Sequence, residues 1–513
     1  MLKGILTVGG WTLASRVFGF ARDMLIAAFL GAGPVADAFF VANRLPNLFR
    51  RLFGEGAFSA AFVPAFSGLL ATEGRESAQH FAQQAAAVLV VWLIGLTVLA
   101  EIFMPTVVAG LAPGFRSDPE KFALAVQLCR ITFPYMPLIC LGALLSGVLN
   151  GLDRYAAAAA APVVYNIVCI IFLLGLAHLL PTAGHALAIG VSVSGVVQLG
   201  LLGWAVHRAG IRLRLPRPRL SPAIRVLLRR MGPGLIGAGV TQLNFAVDVI
   251  IASLLPAGTV SVLYYADRVN QLPLGTIGVA VGTALLPTLS RQALAGQAEA
   301  AIGTLNRALE YALLLTLPAA LALLVMGGPI IEVLFHRGAF TAAQVALTGQ
   351  ALDAYAVGLP AFVLVKVLVP GFFARGDTAM PVKIGMFIVA LNLGLNIVFM
   401  GPLQHIGPPL ASSLAAWVNV VALGWVLHRR GHLALDRQIS RSVPRMLLAG
   451  MAMLLVLYGL EIHMFRPLTG ALRWAGLAGL VAAGMLVYGV VGQAIGGFDL
   501  RAVSARLLRR RKA

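Results

Sequence analysis

Long apolar stretches recur along the whole chain, separated by short polar or charged segments. Each is long enough for a helix to cross ~30 Å of hydrocarbon, which takes about 20 residues. Breaks in hydropathy predict fourteen membrane spans, at 5–30, 36–67, 82–111, 122–149, 156–180, 185–206, 232–255, 260–289, 304–327, 344–373, 380–400, 408–427, 444–462 and 474–495. The pattern therefore predicts an all-α polytopic membrane protein.

Short segments recur at nearly one offset. "LGWAVHRAG" at 202–210 resembles "LGWVLHRRG" at 423–431, and "FVPAFS" at 62–67 resembles "LLPTLS" at 285–290. Each repeat would hold six helices, so the two have the same topology and are related by an axis along the membrane normal. The predicted divisions are an N-lobe at 1–215 (spans 1–6), a C-lobe at 216–432 (spans 7–12), and 433–513 with spans 13 and 14 and a basic tail.

Composition and charge agree with a membrane location. Hydrophobic residues make up 59% of the chain, charged residues 11%, and the mean hydropathy is +0.89. The net charge is +20, but 19 of the 39 basic residues lie in three segments beside apolar spans, at 207–230, 428–445 and 501–513. This placement is typical of cytoplasmic loops. We therefore predict cytoplasmic N- and C-termini and no nucleic-acid binding.

The first span contains three charged residues, Arg16, Arg22 and Asp23. A charge at the bilayer centre costs about 2.5–3.5 kcal/mol on insertion scales. Arg16 and Asp23 are seven residues apart and share a helix face, whereas Arg22 lies about 100° away. These residues are either an internal ion pair that joins helices or part of a polar cavity.

The second span is richer in charge. Asp37, Arg44, Arg51 and Glu55 follow one helical stripe, and Arg50 lies one step round the helix. A helix with such a stripe is expected to line a water-filled cavity. For either Arg50 or Arg51, an interfacial side chain that snorkels is the alternative.

Spans 7 and 8 add further polar residues. The duplicate of the second span carries Asp267 and Arg268, and span 7 places Thr241, Asn244 and Asp248 on one face. That face is either a cation site or, as we favour, a helix–helix hydrogen-bonding surface. Arginines outnumber acids in the predicted cavity, and guanidinium groups match phosphate oxygens in bidentate geometry. We therefore predict a diphosphate or another multiply charged anion as ligand.

The sequence contains no catalytic constellation. It lacks a GxxxxGK[ST] phosphate loop, and its nine histidines show no metal-binding spacing. We predict no enzyme activity, no cofactor and no well-defined metal site. From the residues alone, the prediction is a transporter that moves a bulky amphipathic or soluble anion by alternating access.

Several motifs resemble one family. "ASRVFGFARD" at 14–23, "VADAFFVANRLPNLFRRLFGEGAFSAAFVPAFS" at 35–67, "YYADR" at 264–268 and "VLVPGFFARGDTAMPVK" at 367–383 are similar to MurJ/MviN, of the multidrug/oligosaccharidyl-lipid/polysaccharide exporter superfamily. The resemblance implies a MATE-like fold in the bacterial cytoplasmic (inner) membrane. It also implies flipping of a lipid-linked peptidoglycan precursor, lipid II, from the inner to the outer leaflet.

The resemblance also implies roles for individual residues. The residues expected to bind the diphosphate are Arg16, Arg22, Arg50 and Arg268. The expected acidic cavity residues are Asp23, Asp37 and Glu55, and the secondary candidates are Arg44, Arg51, Asp267 and Gln271. Many family members have an acid where this chain has Gln271. Asp248 and Asp377 are weak candidates for a sodium site, and spans 13 and 14 are expected to hold the polyprenyl tail.

The predicted partners are lipid II, membrane lipids and cell-wall synthesis enzymes, and the predicted driving force is the membrane potential. Three alternatives remain. One is a flippase for another polyprenyl-diphosphate-linked oligosaccharide, and another is a cation-coupled drug exporter, which would need an acidic, aromatic cavity. The third is a scaffold that recruits wall-synthesis enzymes without transport.

Overall fold

The computed structural model describes residues 2–51, 58–212 and 214–498, without the side chains of 2–6, 233–238, 240–241, 243–245 and 276–284. All regular secondary structure in this part of the chain is helical. The chain divides into two compact units, the first Met1–Ser261 with Arg337–Phe340 and the second Val262–His336 with Thr341–Ala513. The lobe boundaries at 215 and 432 stay predictions.

The first unit contains the N-terminal helices. They are α1 (Leu2–Leu30), α2 (Pro34–Phe49), α3 (Phe58–Thr72), α4 (Arg75–Ile102), α5 (Met104–Leu111), α6 (Pro119–Thr132), α7 (Tyr135–Gly151), α8 (Ala156–Leu176), α9 (Ala183–Arg208) and α10 (Pro222–Ser253). Within this unit α1 packs on α8, α8 and α7 pack on α9, and α2 packs on α6. Arg22 of α1 therefore lies against α8, and Asp37 of α2 lies against α6.

The second unit begins three residues into α11 and contains the remaining helices. They are α11 (Thr259–Leu294), α12 (Ala298–Phe335), α13 (Ala342–Phe373), α14 (Ala379–Met400), α15 (Gly407–Arg429), α16 (Arg437–Leu460) and α17 (Leu472–Ala494). Within this unit α13 packs on α12 and α15, and α16 packs on α12 and α17. Buried apolar residues on α12, α13 and α15, including Leu309, Val367 and Leu427, belong to one core cluster of this unit.

Local sequence signals explain several helix ends. The side chain of Asp118 accepts from the Lys121 backbone N–H at the start of α6, and Asp436 caps α16 in the same way through Ile439. Thr341 and Gln344 form a reciprocal capping box at the start of α13. Each cap satisfies a backbone donor that the first helical turn leaves unpaired.

Within the described residues, each predicted span lies on one helix or on two consecutive helices, which confirms the predicted all-α polytopic architecture. Ten helical segments in the described residues are long and apolar enough to cross a membrane. The four predicted spans outside that set correspond to α1, α2 with α3, α10 and α11. These are the spans in which the sequence places the intramembrane charges.

Candidate functional site

Arg22 lies in the interior of the first unit, on α1. Only 8% of the residue is exposed. Its Nε and Nη2 atoms donate to Asp23 Oδ1 at 3.1 and 2.7 Å, and Nη1 donates to Asn166 Oδ1 at 3.0 Å. The guanidinium carbon also lies 5.2 Å from the centroid of the Tyr165 ring, a cation–π distance. The charge is therefore paired and held in a fixed orientation.

Asn166 explains why α8 approaches α1 at this point. Its amide nitrogen donates to the Ser15 carbonyl oxygen at 3.1 Å while its oxygen accepts from Arg22. Asn166 is buried, and Asp23 is completely enclosed. Both the nitrogen and the oxygen of the buried Asn166 side chain are thus hydrogen-bonded, as burial of a polar group requires.

From the Tyr165 ring beside Arg22, a chain of hydrogen bonds continues to α2. The Tyr165 hydroxyl donates to Asn43 Oδ1 at 3.1 Å, and Asn47 Nδ2 donates to the same oxygen at 3.2 Å. Arg50 Nε then donates to Asn47 Oδ1 at 3.2 Å. We call Arg22, Asp23, Asn43, Asn47, Arg50, Tyr165 and Asn166 the Arg22–Arg50 network. The network connects Arg22 and Arg50, two residues that are predicted to bind the diphosphate, through side chains of α2 and α8.

This arrangement is suited to binding an anion. Arg50 is only partly buried, and Asn43, Asn47 and Tyr165 are also partly buried. The network thus extends from a fully enclosed carboxylate at Asp23 to a partly buried arginine at Arg50. A guanidinium held in place by neighbouring side chains loses less entropy when it binds a phosphate.

Asp37 makes a separate buried contact near the start of α2. Its carboxylate is completely enclosed and accepts from Lys121 Nζ at 2.7 Å. The Gly258 backbone N–H donates to it at 2.7 Å, and the Ser261 N–H and hydroxyl donate at 2.9 and 2.7 Å. Gly258 has φ +92°, and a Cβ there would lie 2.6 Å from the Ala32 carbonyl oxygen, so glycine is required. In this structure Asp37 joins α2, α6 and the start of α11 and does not face water; its predicted coupling role stays a prediction.

The other predicted residues of the first unit occupy varied environments. Arg16 is exposed, and Arg44, Arg51 and Asp248 are partly buried. Glu55 lies outside the described residues, as do the side chains of Thr241 and Asn244. The roles assigned to these residues stay predictions.

In the second unit, Asp267 accepts a hydrogen bond from Gln271 one helical turn later on α11, and Arg268 between them is partly buried.

Asp377 lies between α13 and α14 and pairs with Arg430 Nη1 at 2.5 Å. That hydrogen bond holds the pKa of the Asp377 carboxyl below its usual value. A sodium ion at Asp377 would have to compete with this guanidinium. In the described part of the chain, no group of three or more His, Cys, Asp and Glu side chains is placed to hold a metal ion.

Sequence reasoning missed Tyr165 and Asn166, which build the Arg22–Arg50 network, and Lys121, Gly258 and Ser261, which surround Asp37. Asn166 gave a signal, because it is an amide within the apolar stretch of α8. Lys121 stands beside a predicted span and resembles an ordinary flanking charge. Its role depends on Asp37, 84 residues away, and sequence pattern does not reveal that proximity.

Comparisons with known proteins agree on one family. The family model described as "Lipid II flippase MurJ" matches residues 26–472. A protein of Rhizobium meliloti (strain 1021) named "Probable lipid II flippase MurJ" is 44% identical over 508 residues, which cover 98% of this chain and 95% of that protein.

Two solved structures have a similar fold. The structure titled "Lipid II flippase MurJ, inward closed conformation" gives a TM-score of 0.80 at 26% identity, over 95% of this chain and 98% of the other. An inward-facing multidrug resistance MATE family transporter of the MOP superfamily gives 0.66 at 15% identity, over 81% and 94%. The second likeness concerns the fold alone, and it confirms the predicted MATE-like architecture.

Proposed function

Because the chain belongs to the lipid II flippase MurJ family, we propose that it carries lipid II, a lipid-linked peptidoglycan precursor, across the bacterial cytoplasmic membrane. The chain is a multi-pass membrane protein. The proposed transport runs from the inner to the outer leaflet, with both chain termini in the cytoplasm. The protein acts as a transporter and not as an enzyme.

The observation that carries this proposal is the Arg22–Arg50 network. Two arginines joined by tyrosine and asparagine side chains lie within helices of the membrane-spanning region. Intramembrane cations are costly, so their presence indicates a ligand or a pathway. Lipid II supplies a matching anion in its diphosphate. Arg22 and Arg50, together with Arg16 and Arg268, are the residues we assign to it.

The membrane potential provides a driving force that needs no ATP. An inside-negative potential favours outward movement of each negative charge by about 2.3 kcal/mol per 100 mV. The same potential favours the return of an empty cavity with excess positive charge to face inward. Both halves of the transport cycle can thus use voltage.

The test uses cells depleted of their own flippase and complemented with this chain. The readout is the fraction of lipid II that an added, membrane-impermeant hydrolase can reach at the outer face. We expect exposure with the wild type and at least a fivefold loss with Arg50→Gln, because the variant removes a cation without burying a new group. Arg217→Gln, in the exposed segment between α9 and α10, is the control of equal charge change.

Each outcome is informative when membrane insertion of every variant is verified by immunoblot. No exposure with the wild type would contradict lipid II as substrate and would favour another lipid-linked oligosaccharide. Exposure that is equal for wild type and Arg50→Gln would retain the substrate and refute the cationic site.

A further inference from the structure

A second cationic site lies in the second unit, far along the chain from the Arg22–Arg50 network. A cavity of about 700 Å³ opens where the first turns of α16 meet α12 and the end of α17. Arg307 and Glu310 of α12 line one wall, and Arg437, Arg441 and Arg445 of α16 line another. Four arginines thus surround one glutamate.

The acidic groups at this cavity are already engaged. Glu310 is 6% exposed and accepts from Arg307, from Gln438 Nε2 at 3.1 and 3.2 Å, and from Ser442 Oγ at 2.8 Å. Asp436 accepts from Arg307 and caps α16 through the Ile439 N–H at 2.9 Å. Both carboxylates are therefore directed toward the same guanidinium, and they leave the α16 arginines unneutralised.

The α16 arginines form a stripe with a spacing of four residues, so they share one face of the helix. Arg445 Nη1 donates to the Gly496 carbonyl oxygen at 2.9 Å, which leaves its charge unpaired. Arg437 and Arg441 are exposed, and neither forms an ion pair within the described residues. Unpaired guanidinium groups on one wall of a cavity are suited to a phosphate, which they can bind in bidentate geometry.

Part of the lining is apolar. Leu314, Met446 and Phe498 contribute to it, and Met446 is fully buried. Directly after Met446, Leu447 and Leu448 point outward with 43% and 63% of their surface exposed, as expected for side chains in contact with lipid. The cavity thus combines a charged wall with an apolar wall at the end of a membrane-spanning helix.

We propose that this cavity binds the phosphate group of a membrane lipid. Basic clusters next to a membrane span attract anionic headgroups, and the apolar wall would contact the beginning of the acyl or polyprenyl chain. The charge distribution places this end of α16 at the cytoplasmic surface. Two lipids offer the same chemistry there, an anionic phospholipid of the bilayer and a polyprenyl diphosphate. The proposal does not depend on the transport function.

The test measures the affinity of the purified full-length chain, in detergent micelles, for a fluorescent phosphatidylglycerol by anisotropy. The double variant Arg437→Gln/Arg441→Gln should bind at least fivefold more weakly. The control Arg217→Gln/Arg219→Gln removes the same charge from an exposed segment, and its affinity should stay within about twofold of wild type. This comparison distinguishes binding at the cavity from attraction by the general surface charge. Neither pair of residues forms an ion pair in the described structure, so both variants should fold, and thermal unfolding verifies this.

Unlabelled competitors identify the source of the phosphate. If phosphatidylglycerol displaces the probe more strongly than undecaprenyl diphosphate does, the site exists and its occupant is a bilayer lipid. If undecaprenyl diphosphate displaces the probe more strongly, the site exists and its occupant is the polyprenyl carrier. Displacement by inorganic diphosphate at the same concentration as either lipid would overturn the lipid part of the proposal. Unchanged affinity of the Arg437→Gln/Arg441→Gln variant, or an equal loss in both variants, would overturn the site itself.

Discussion

Replacing Asp37 with asparagine should destabilise the first unit by far more than a typical surface substitution. The carboxylate is completely enclosed, and its ion-pair partner Lys121 is only 6% exposed. Each oxygen accepts from two donors, Oδ2 from Lys121 and Gly258 and Oδ1 from both groups of Ser261. An asparagine amide has only one accepting oxygen. In either orientation of the amide, its NH₂ group would therefore face two donors.

The magnitude follows from the burial of the ion pair. Removing one partner of a buried pair leaves an uncompensated charge and costs about 3–5 kcal/mol. Lys121 Nζ also lies 4.1 Å from the centroid of the Phe115 ring, which cannot replace a carboxylate. We therefore expect Asp37→Asn to lose about 3–5 kcal/mol and the double variant Asp37→Asn/Lys121→Met to regain about 2 kcal/mol of this loss.

The assay is a double-mutant cycle. The free energy of unfolding of the purified chain is measured in mixed micelles by titration with a denaturing detergent, for wild type, both single variants and the double variant. Glu120→Gln changes the same charge at an exposed position next to Lys121, and it should shift stability by no more than about 0.5 kcal/mol. Single-variant effects that add to within about 0.5 kcal/mol would refute the reasoning, because independent sites behave in this way.

Two further predictions concern the second unit. In Gly358→Ala on α13, the new Cβ would lie 2.7 Å from the Ser413 Cα and 2.5 Å from its hydroxyl oxygen, so we expect a lower midpoint of thermal unfolding; Gly68→Ala on α3, where nothing lies within 4 Å, should leave it unchanged or raise it. Arg430 lowers the pKa of Asp377, so this pair stabilises the fold above the unfolded-state pKa of about 3.9 and loses that contribution as the pH falls through the lower folded-state pKa. Stability measured from pH 6 to pH 3 should therefore fall less steeply for Asp377→Asn than for wild type, and identical slopes would contradict the assignment.

The sequence predicted the helical architecture well because the bilayer imposes a simple rule on helix length and polarity. It did not predict where spans divide. The predicted span 122–149 is two helices, α6 and α7, separated at Pro134, and hydropathy does not distinguish this from one continuous helix.

The candidate site was predictable in its residue types and less so in its contacts. Arg22 and Arg50 are charged residues in an apolar segment, so the free-energy cost of placing a charge in the membrane is enough to identify them. The asparagines and Tyr165 that connect them are neutral, and such residues also occur in ordinary helix packing. At Asp37 the chain brings together donors 84, 221 and 224 residues away, and only the folded structure shows this.

The pairing of Arg22 with its neighbour Asp23 has a consequence for how the chain enters the membrane during synthesis. Asn166, the partner on α8, is 144 residues further along and does not yet exist when α1 leaves the ribosome. The Asp23 carboxylate is already present, and the hydrogen bonds that Arg22 donates to it can form as soon as the helix forms. The first helix can thus insert with the charge of Arg22 already neutralised, and the contact with Asn166 forms after α8 has been synthesised.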